Sequence, residues 1–284
     1  MNRRIVLLLV LALTLTTPAF AGSGWHKSIA AAQKVAKEKN QLILVDMFAQ
    51  WCGWCHRFER EVFPSETFQN ATTDIVLLRL DTEDRGEGTQ YAQKFGVTQL
   101  PTFLLLAPDL SLAGMIRGYA PPKDFVVSLN KTRGEYTAFT NRLKNEASFA
   151  KDYSQRLQLA KDLMARASFE KSEPRFKKLM TEKGVPAAIR DDAYYHLAMS
   201  YAMQNRLDEG LKTVRALQAI SKTGDSVERA RLLAGQIYLQ QGNLLSAANE
   251  FRAFKKAYPN SPLVKNVDMF LPDIERRLAA GKTN

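Results

Sequence analysis

Gln41-Leu-Ile-Leu-Val-Asp46-Met-Phe-Ala-Gln-Trp51-Cys52-Gly53-Trp54-Cys55-His56 is the stretch of this 284-residue sequence from which the rest can be read. From Leu42 to Phe48 it is almost continuously apolar, the pattern of a strand buried on both faces. One acid, Asp46, interrupts the run, and an acid in such a place needs a physical reason. The next turn carries the only two cysteines of the chain, Cys52 and Cys55. A Cys-x-x-Cys where a strand hands over to a helix is the arrangement that carries thiol–disulfide chemistry. The same letters followed by His56 also spell a c-type haem attachment site, with His56 as an axial ligand. A disulfide closing so short a loop would remove little chain entropy, so the pair is poor as a staple and good as a switch.

The N-terminal residues address the compartment. Asn2-Arg3-Arg4 is cationic, Ile5 to Leu15 is apolar, and Ala19-Phe20-Ala21 is a small-x-small cleavage site. That order predicts a secretory signal peptide over residues 1–21, a mature start at Gly22 and a periplasmic, exported protein. The apolar run is short for a membrane span, and no cysteine follows the cleavage site to take a lipid. The mature chain is therefore expected to be soluble, with no stable membrane insertion. Its remaining length of about 260 residues predicts two domains. Residues 22–133 carry 13 Lys and Arg against 12 Asp and Glu, whereas residues 134–284 carry 25 against 17. Export argues against nucleic acid as the partner of this basic half; a solvated basic surface accounts for it, with acidic partners or a membrane surface as the remainder.

Residues 22–133 alternate helix and strand. Helices are predicted at Ser28 to Lys39, Gly53 to Val62, Ser65 to Phe68, Thr89 to Phe95 and Pro121 to Asn130. Strands are predicted at Leu42 to Phe48, Ile75 to Leu80, Thr102 to Leu106 and Gly114 to Arg117, which together make an α/β sheet. After Arg133 helical spacing takes over. Leu197-Ala198-x-x-Tyr201 with Leu207-x-x-Gly210 recurs 37 residues later as Ala234-Gly235-x-x-Tyr238 with Leu244-x-x-Ala247. The second copy continues to Phe251 and Pro259, and a weaker copy runs from Leu159-Ala160 to Phe176. This resembles the tetratricopeptide pattern, so residues 134–284 are expected to form an all-α array of helical hairpins stacked to bury faces that no single unit can bury.

Val45-Asp46-Met-Phe-Ala-x-Trp51-Cys52-Gly53-x-Cys55, Phe95-Gly96-Val-Thr-Gln-Leu100-Pro101-Thr102 and Gly118 together resemble the thioredoxin fold. They are closest in flavour to exported thioredoxin-like domains such as the C-terminal domain of the thiol:disulfide interchange protein DsbD. The resemblance covers about a third of the chain and implies a protein-disulfide oxidoreductase, acting as a reductant, that needs no cofactor. Cys52, at a helix N-terminus that favours an anion, would be the nucleophile, Cys55 the resolving thiol, and Asp46 the proton acceptor and donor for Cys55. Trp51, Gly53, Trp54, Leu100, Pro101 (as a cis-proline) and Thr102 would line the substrate site. The implied partners are proteins bearing thiols or disulfides, recruited by the helical repeats, and a membrane electron donor. Three departures stand out. Trp54 replaces the proline or small residue of several relatives, His56 stands where relatives often have Lys, and a basic residue on the strand after the active site is not evident in Ile75 to Leu80.

The haem reading accounts for Cys-x-x-Cys-His and export but leaves Asp46 and Leu100-Pro101-Thr102 unexplained. A zinc site falls short of four ligands, since His26 and His196 lie in unrelated segments. A redox-regulated scaffold, with the helical repeats as the working part, is the remaining alternative.

Overall fold

The computed structural model describes residues 24–280. The expected signal peptide and Gly22 lie outside the described residues. The chain begins with β1 (Trp25–His26), α1 (Ile29–Lys39), β2 (Leu42–Phe48), α2 (Gly53–Glu61) and α3 (Glu66–Ala71). It continues through β3 (Ile75–Asp81), α4 (Glu87–Phe95), β4 (Thr102–Leu106), β5 (Leu112–Arg117) and α5 (Pro122–Lys144). The sheet order is β1-β3-β2-β4-β5. Strands β1, β3 and β2 run parallel, and β4 and β5 are antiparallel. β2 is thus central, which its apolar run required.

Alternate residues of β2 serve opposite faces. Ile43, Val45 and Met47 pack with Ile29, Ala32 and Ala36 of α1. Leu44 packs with Phe58 of α2, Phe103 of β4 and Phe125 of α5. By the two-residue period Asp46 belongs to this second, aromatic face. Ser28 caps α1 through the Ala31 N–H, and Ser65 caps α3 through the Phe68 N–H. Helix α4 begins two residues before the predicted start. The Asp84 carboxylate accepts the N–H groups of Gly88 and Thr89 at 3.0 and 3.1 Å and organises its first turn. Gly88 is required there, because a β-carbon would stand 1.8 Å from the Asp81 carbonyl oxygen.

The helix predicted to close at Asn130 continues to Lys144. Its distal half carries Tyr136, Phe139 and Leu143, which pack with Phe149, Leu159 and Leu163 of the following segment. A 3-10 turn (Glu146–Phe149) then leads into α6 (Tyr153–Ala165), α7 (Phe169–Thr181), α8 (Ala187–Met203) and α9 (Leu207–Ile220). The array ends with α10 (Asp225–Gln240), α11 (Leu244–Ala257) and α12 (Val264–Ala280). Helices pack as successive hairpins, α6 with α7, α8 with α9 and α10 with α11, each also touching the next, and α12 covers the last. The three sequence copies fall on these three hairpins.

The small residues of the repeat sit where helices approach closely. A β-carbon at Gly210 would lie 3.3 Å from the Ala198 carbonyl oxygen, and one at Gly235 would lie 2.4 Å from the Phe251 ring. A polar seam crosses α6, α8 and α10. Asp192 takes Lys161 at 3.4 Å and both Ser226 and Arg229 at 3.1 Å. His196 is buried beside it. Burial pushes its imidazole down to about 4, with Lys161 and Arg229 adding to the effect and Asp192 opposing it.

The two units meet along β5. Leu112 donates its N–H to the Arg166 carbonyl at 3.0 Å, and the Arg166 guanidinium returns bonds to the carbonyls of Leu112 (3.1 Å) and Ala113. That guanidinium lies 4.4 Å over the Phe139 ring, and Lys171 pairs with Asp109 at 2.8 Å. These contacts cover the Leu112 end of the β5 edge of the sheet.

Gly235→Ala should destabilise the protein by about 1–3 kcal/mol, because Phe251 is fully buried and must shift to admit the methyl group; urea unfolding followed by far-UV circular dichroism measures it. His196 is expected to make the array acid-labile. Folded His196 stays neutral down to about 4 while an unfolded one protonates near 6.5, so stability is lost as pH falls through that window, by on the order of 3 kcal/mol. His196→Gln should flatten that loss in denaturant titrations between the two limits.

Candidate active site

Cys52 occupies the N-cap of α2, and its sulfur accepts the Cys55 N–H at 3.1 Å. The Cys52 carbonyl accepts the N–H groups of Cys55 and His56 at 3.0 and 3.1 Å. The sulfur therefore lies at the positive end of the helix, where a thiolate is favoured over a thiol. Cys52 and Cys55 are joined in a disulfide with an S–S distance of 2.04 Å. Both are recessed, with only 3% and 1% of their surfaces exposed. Gly53 opens the helix on its exposed side with nothing crowding its α-carbon.

Sheet register brings the second motif to the same end of the molecule. Thr102 pairs with Met47 on β2 and with Arg117 on β5. The Leu100–Pro101 peptide bond is cis, the Pro101 carbonyl accepts the Gly118 N–H at 2.9 Å, and buried Thr102 donates its hydroxyl to the Gln99 carbonyl at 2.7 Å. Leu100 is half-buried and packs on the α1/α4 side of the sheet. Trp51 and Trp54 are the exposed aromatics of the region, at 68% and 54%. The Trp51 indole N–H donates to Glu83 at 2.8 Å, and the Trp54 ring lies 5.2 Å from that of Tyr119.

Asp46 is 1% exposed. Its register partner on β3 is Arg79, whose Nε stands 3.0 Å from Asp46 Oδ2. The two form an ion pair without the alignment of a hydrogen bond, leaving both carboxylate oxygens unbonded. Burial pushes the Asp46 carboxyl up to about 7; Glu59 adds to the rise, and the Arg79 charge opposes it. Arg79 is shared, for its guanidinium also bonds Glu59 on α2 and stacks 3.9 Å over the Phe48 ring. Partial burial opposes ionisation of Glu59, but Arg79 and then His56 outweigh it and hold its carboxyl below the ordinary value. His56 completes the chain, with Nδ1 3.6 Å from Glu59 and Nε2 2.8 Å from the Gln50 carbonyl oxygen. A cavity of about 1170 Å³, lined by Gln50, His56, Glu59, Arg79 and Asp81, opens this cluster to solvent.

Arg79 corrects the sequence reading, which found no basic residue on the strand after the active site. It stands in Ile75 to Leu80 as the sole charge of that run, and the parallel register of β2 and β3 sets it directly beside Asp46. Glu59, Glu61, Arg57 and Tyr119 were also missed. The helical spacing of Glu59 from Cys55 was a usable signal; nothing local in the sequence pointed to Tyr119.

Residues 29–133 match the thioredoxin-like domain family, and the α/β unit described above is such a domain. Over 73 residues the chain is 36% identical to the thiol:disulfide interchange protein DsbD of Pasteurella multocida, covering 25% of this chain and 13% of that protein. DsbD of Pseudomonas fluorescens is 35% identical over 75 residues, covering 26% and 13%. The chain thus spans only a small part of these relatives' length. Among solved structures, a DsbH oxidoreductase aligns with a TM-score of 0.36 at 16% identity, over 43% of this chain and 92% of that one. The oxidised C-terminal domain of Neisseria meningitidis DsbD aligns with a TM-score of 0.33 at 18% identity, over 37% and 91%. Among the described residues no group of acids, histidines and cysteines is placed to hold a metal ion, and no helix is long and apolar enough to cross a membrane.

The sign of the Asp46 effect follows from its environment. The unfolded carboxyl ionises near 3.8 and the folded one near 7, so between these values the folded state binds the extra proton and stability falls as pH rises. The full loss, on the order of 4 kcal/mol, is present above pH 7. Asp46→Asn removes this term. The stability of Asp46→Asn relative to the wild type, from urea titrations, should therefore rise between pH 4 and 7 and level off above; the comparison cancels the opposite contribution of His196.

Proposed function

We propose that the protein is an exported thiol–disulfide oxidoreductase that reduces disulfides in partner proteins. The observation that carries this reading is the Cys52–Cys55 disulfide at the N-terminus of α2; the buried carboxyl of Asp46, raised to about 7 on the strand that leads into it, supports it. In the reduced state the Cys52 thiolate attacks one sulfur of the partner's disulfide, forming a mixed disulfide and releasing the other as a thiolate. Cys55 then gives its proton to the Asp46 carboxylate and attacks the Cys52 sulfur. That closes the Cys52–Cys55 bond, releases the second partner thiolate and completes the transfer of two electrons to the partner. An acid titrating near 7 is matched to accepting and returning this proton at neutral pH. Arg79 and Glu59 set its poise. A membrane electron donor would return the cysteines to the dithiol state. Leu100, Pro101 and Thr102 would lie against the partner's chain, with Trp51, Gly53 and Trp54 on the opposite side.

Several features support the rest of this reading. Similarity to proteins named for thiol:disulfide interchange favours protein disulfides as substrates, and residues 2–21 favour export. The hairpins of residues 134–284 would recruit partners in the manner of tetratricopeptide repeats. The haem alternative finds no support at His56, whose ring is engaged by the Gln50 carbonyl and Glu59.

Cys55→Ser should accumulate stable mixed disulfides with exported proteins, seen as reductant-sensitive bands on gels, whereas Cys52→Ser should form none. Equal trapping by both variants, or by neither, would sink the reading. Binding of partners without any covalent capture would favour the scaffold instead.

A further inference from the structure

The redox centre is recessed, yet the residues around it are not. Two exposed indoles, Trp51 and Trp54, flank Cys52 along the chain, and each has a partner that restrains it. Trp51 is fixed by its bond to Glu83. Trp54 is fixed by a more elaborate clamp. Arg57, one turn along α2, lies 5.5 Å from the centre of the Trp54 ring and 4.6 Å from that of Tyr119. Glu61 takes both Arg57, at 2.8 Å, and the Tyr119 hydroxyl. Tyr119 in turn meets buried Phe58 edge-on at 5.3 Å, so the platform beneath Trp54 is continuous with the aromatic core. Tyr119 follows Gly118, which is bonded to the Pro101 carbonyl. One small cluster therefore ties the helix carrying the cysteines to the loop expected to face them.

An exposed indole normally gives up conformational freedom when a partner covers it. Here contacts with Arg57 and Tyr119 already restrict that freedom, so contact with Trp54 returns more of its burial free energy as affinity. Such a residue next to a recessed reactive group has the character of a binding hot spot. The recess adds a second requirement. With both sulfurs nearly inaccessible, a partner sulfur must enter on an extended or protruding segment, and its flanking side chains then meet the indoles. The rings offer apolar surface, Arg57 is paired with Glu61, and Glu83 accepts the Trp51 indole N–H. The complementary flanking side chain is apolar.

Resting on the oxidoreductase reading above, we infer that Trp54, held by Arg57, Glu61 and Tyr119, is a specificity-determining residue that selects extended partner segments carrying a large apolar side chain beside the reacting cysteine.

The experiment uses the full chain, reduced with dithiothreitol and freed of it, and two synthetic peptides of equal charge, each closed by one disulfide. One peptide has Leu and Phe beside its reacting cysteine; the other has Ser at both positions. In each, the Cys52 thiolate opens the peptide disulfide, Cys55 resolves the mixed disulfide, and the peptide leaves as a dithiol while the protein becomes the disulfide. Wild-type protein should reduce the apolar peptide about tenfold faster, roughly 1.4 kcal/mol of discrimination. Trp54→Ala should bring the ratio of the two rates to about 1, Trp54→Phe should keep most of it, and Tyr119→Phe, which loses only the bond to Glu61, should lower it in part. A wild-type ratio near 1, an unchanged ratio in Trp54→Ala, or an equal slowing of both peptides would overturn the inference. Failure of the wild type to reduce either peptide, although dithiothreitol reduces its Cys52–Cys55 bond, would instead remove the oxidoreductase reading and this one with it.

Discussion

A carboxyl group buried in the central strand of the sheet is the constraint around which the redox unit is built. In water Asp46 would be ionised at neutral pH at no cost. Inside the sheet the charge can persist only because Arg79 stands beside it, and Arg79 is itself divided between Asp46 and Glu59. A full hydrogen-bonded pair would have pulled the acid well below its ordinary value, and no partner at all would have kept it protonated throughout. The misaligned, shared cation does neither, leaving a carboxyl that changes state near neutrality. Helix α2 is bound into the same arrangement, since Glu59 and the cysteines sit on it together. Repositioning that helix would alter the thiols and the acid at once.

The fold was legible in the sequence where one physical demand dominated. The run from Leu42 to Phe48 had to be a central strand, and Ser28, Ser65 and Gly96 marked helix ends with little competition. The small positions at Gly210 and Gly235 were visible as a repeat, and the close helix approaches explain them. Reading failed where two demands competed or where distant segments met. Helix α4 starts early because Asp84, in a loop rich in turn-forming residues, caps it from outside its own spacing. Helix α5 was expected to end at Asn130, and its observed span runs on through Gly134, a poor helix former. Packing of Tyr136 and Phe139 against the next unit overrides that local preference.

The site shows the same division. Cys52, Cys55 and Asp46 announce themselves by being the wrong residue types for their surroundings. Arg79 does too, but its meaning depends on register: a residue in β3 matters to Asp46 only once β2 and β3 are known to pair in parallel with these two opposite one another. Tyr119 is further out of reach. It joins Arg57 and Glu61 only because β5 ends beside α2, a fact of topology that no spacing along the chain encodes.

That topology also fixes how the two halves can cooperate. Strand β5 meets the helical array at its Leu112 end through Arg166, while its Arg117 end pairs with Thr102, the residue after the cis-proline. The five steps between Leu112 and Arg117 place these ends about 17 Å apart. A short peptide lying on the array near the junction would not reach the sulfurs. Under the proposed reading, a partner held by the helices would have to be large enough, or joined by a long enough flexible segment, to present its disulfide at the opposite end of the sheet. Recruitment of that kind would raise the local concentration of a substrate without contributing to the chemistry, and it would leave local selection of the reacting cysteine to the aromatic residues near Cys52.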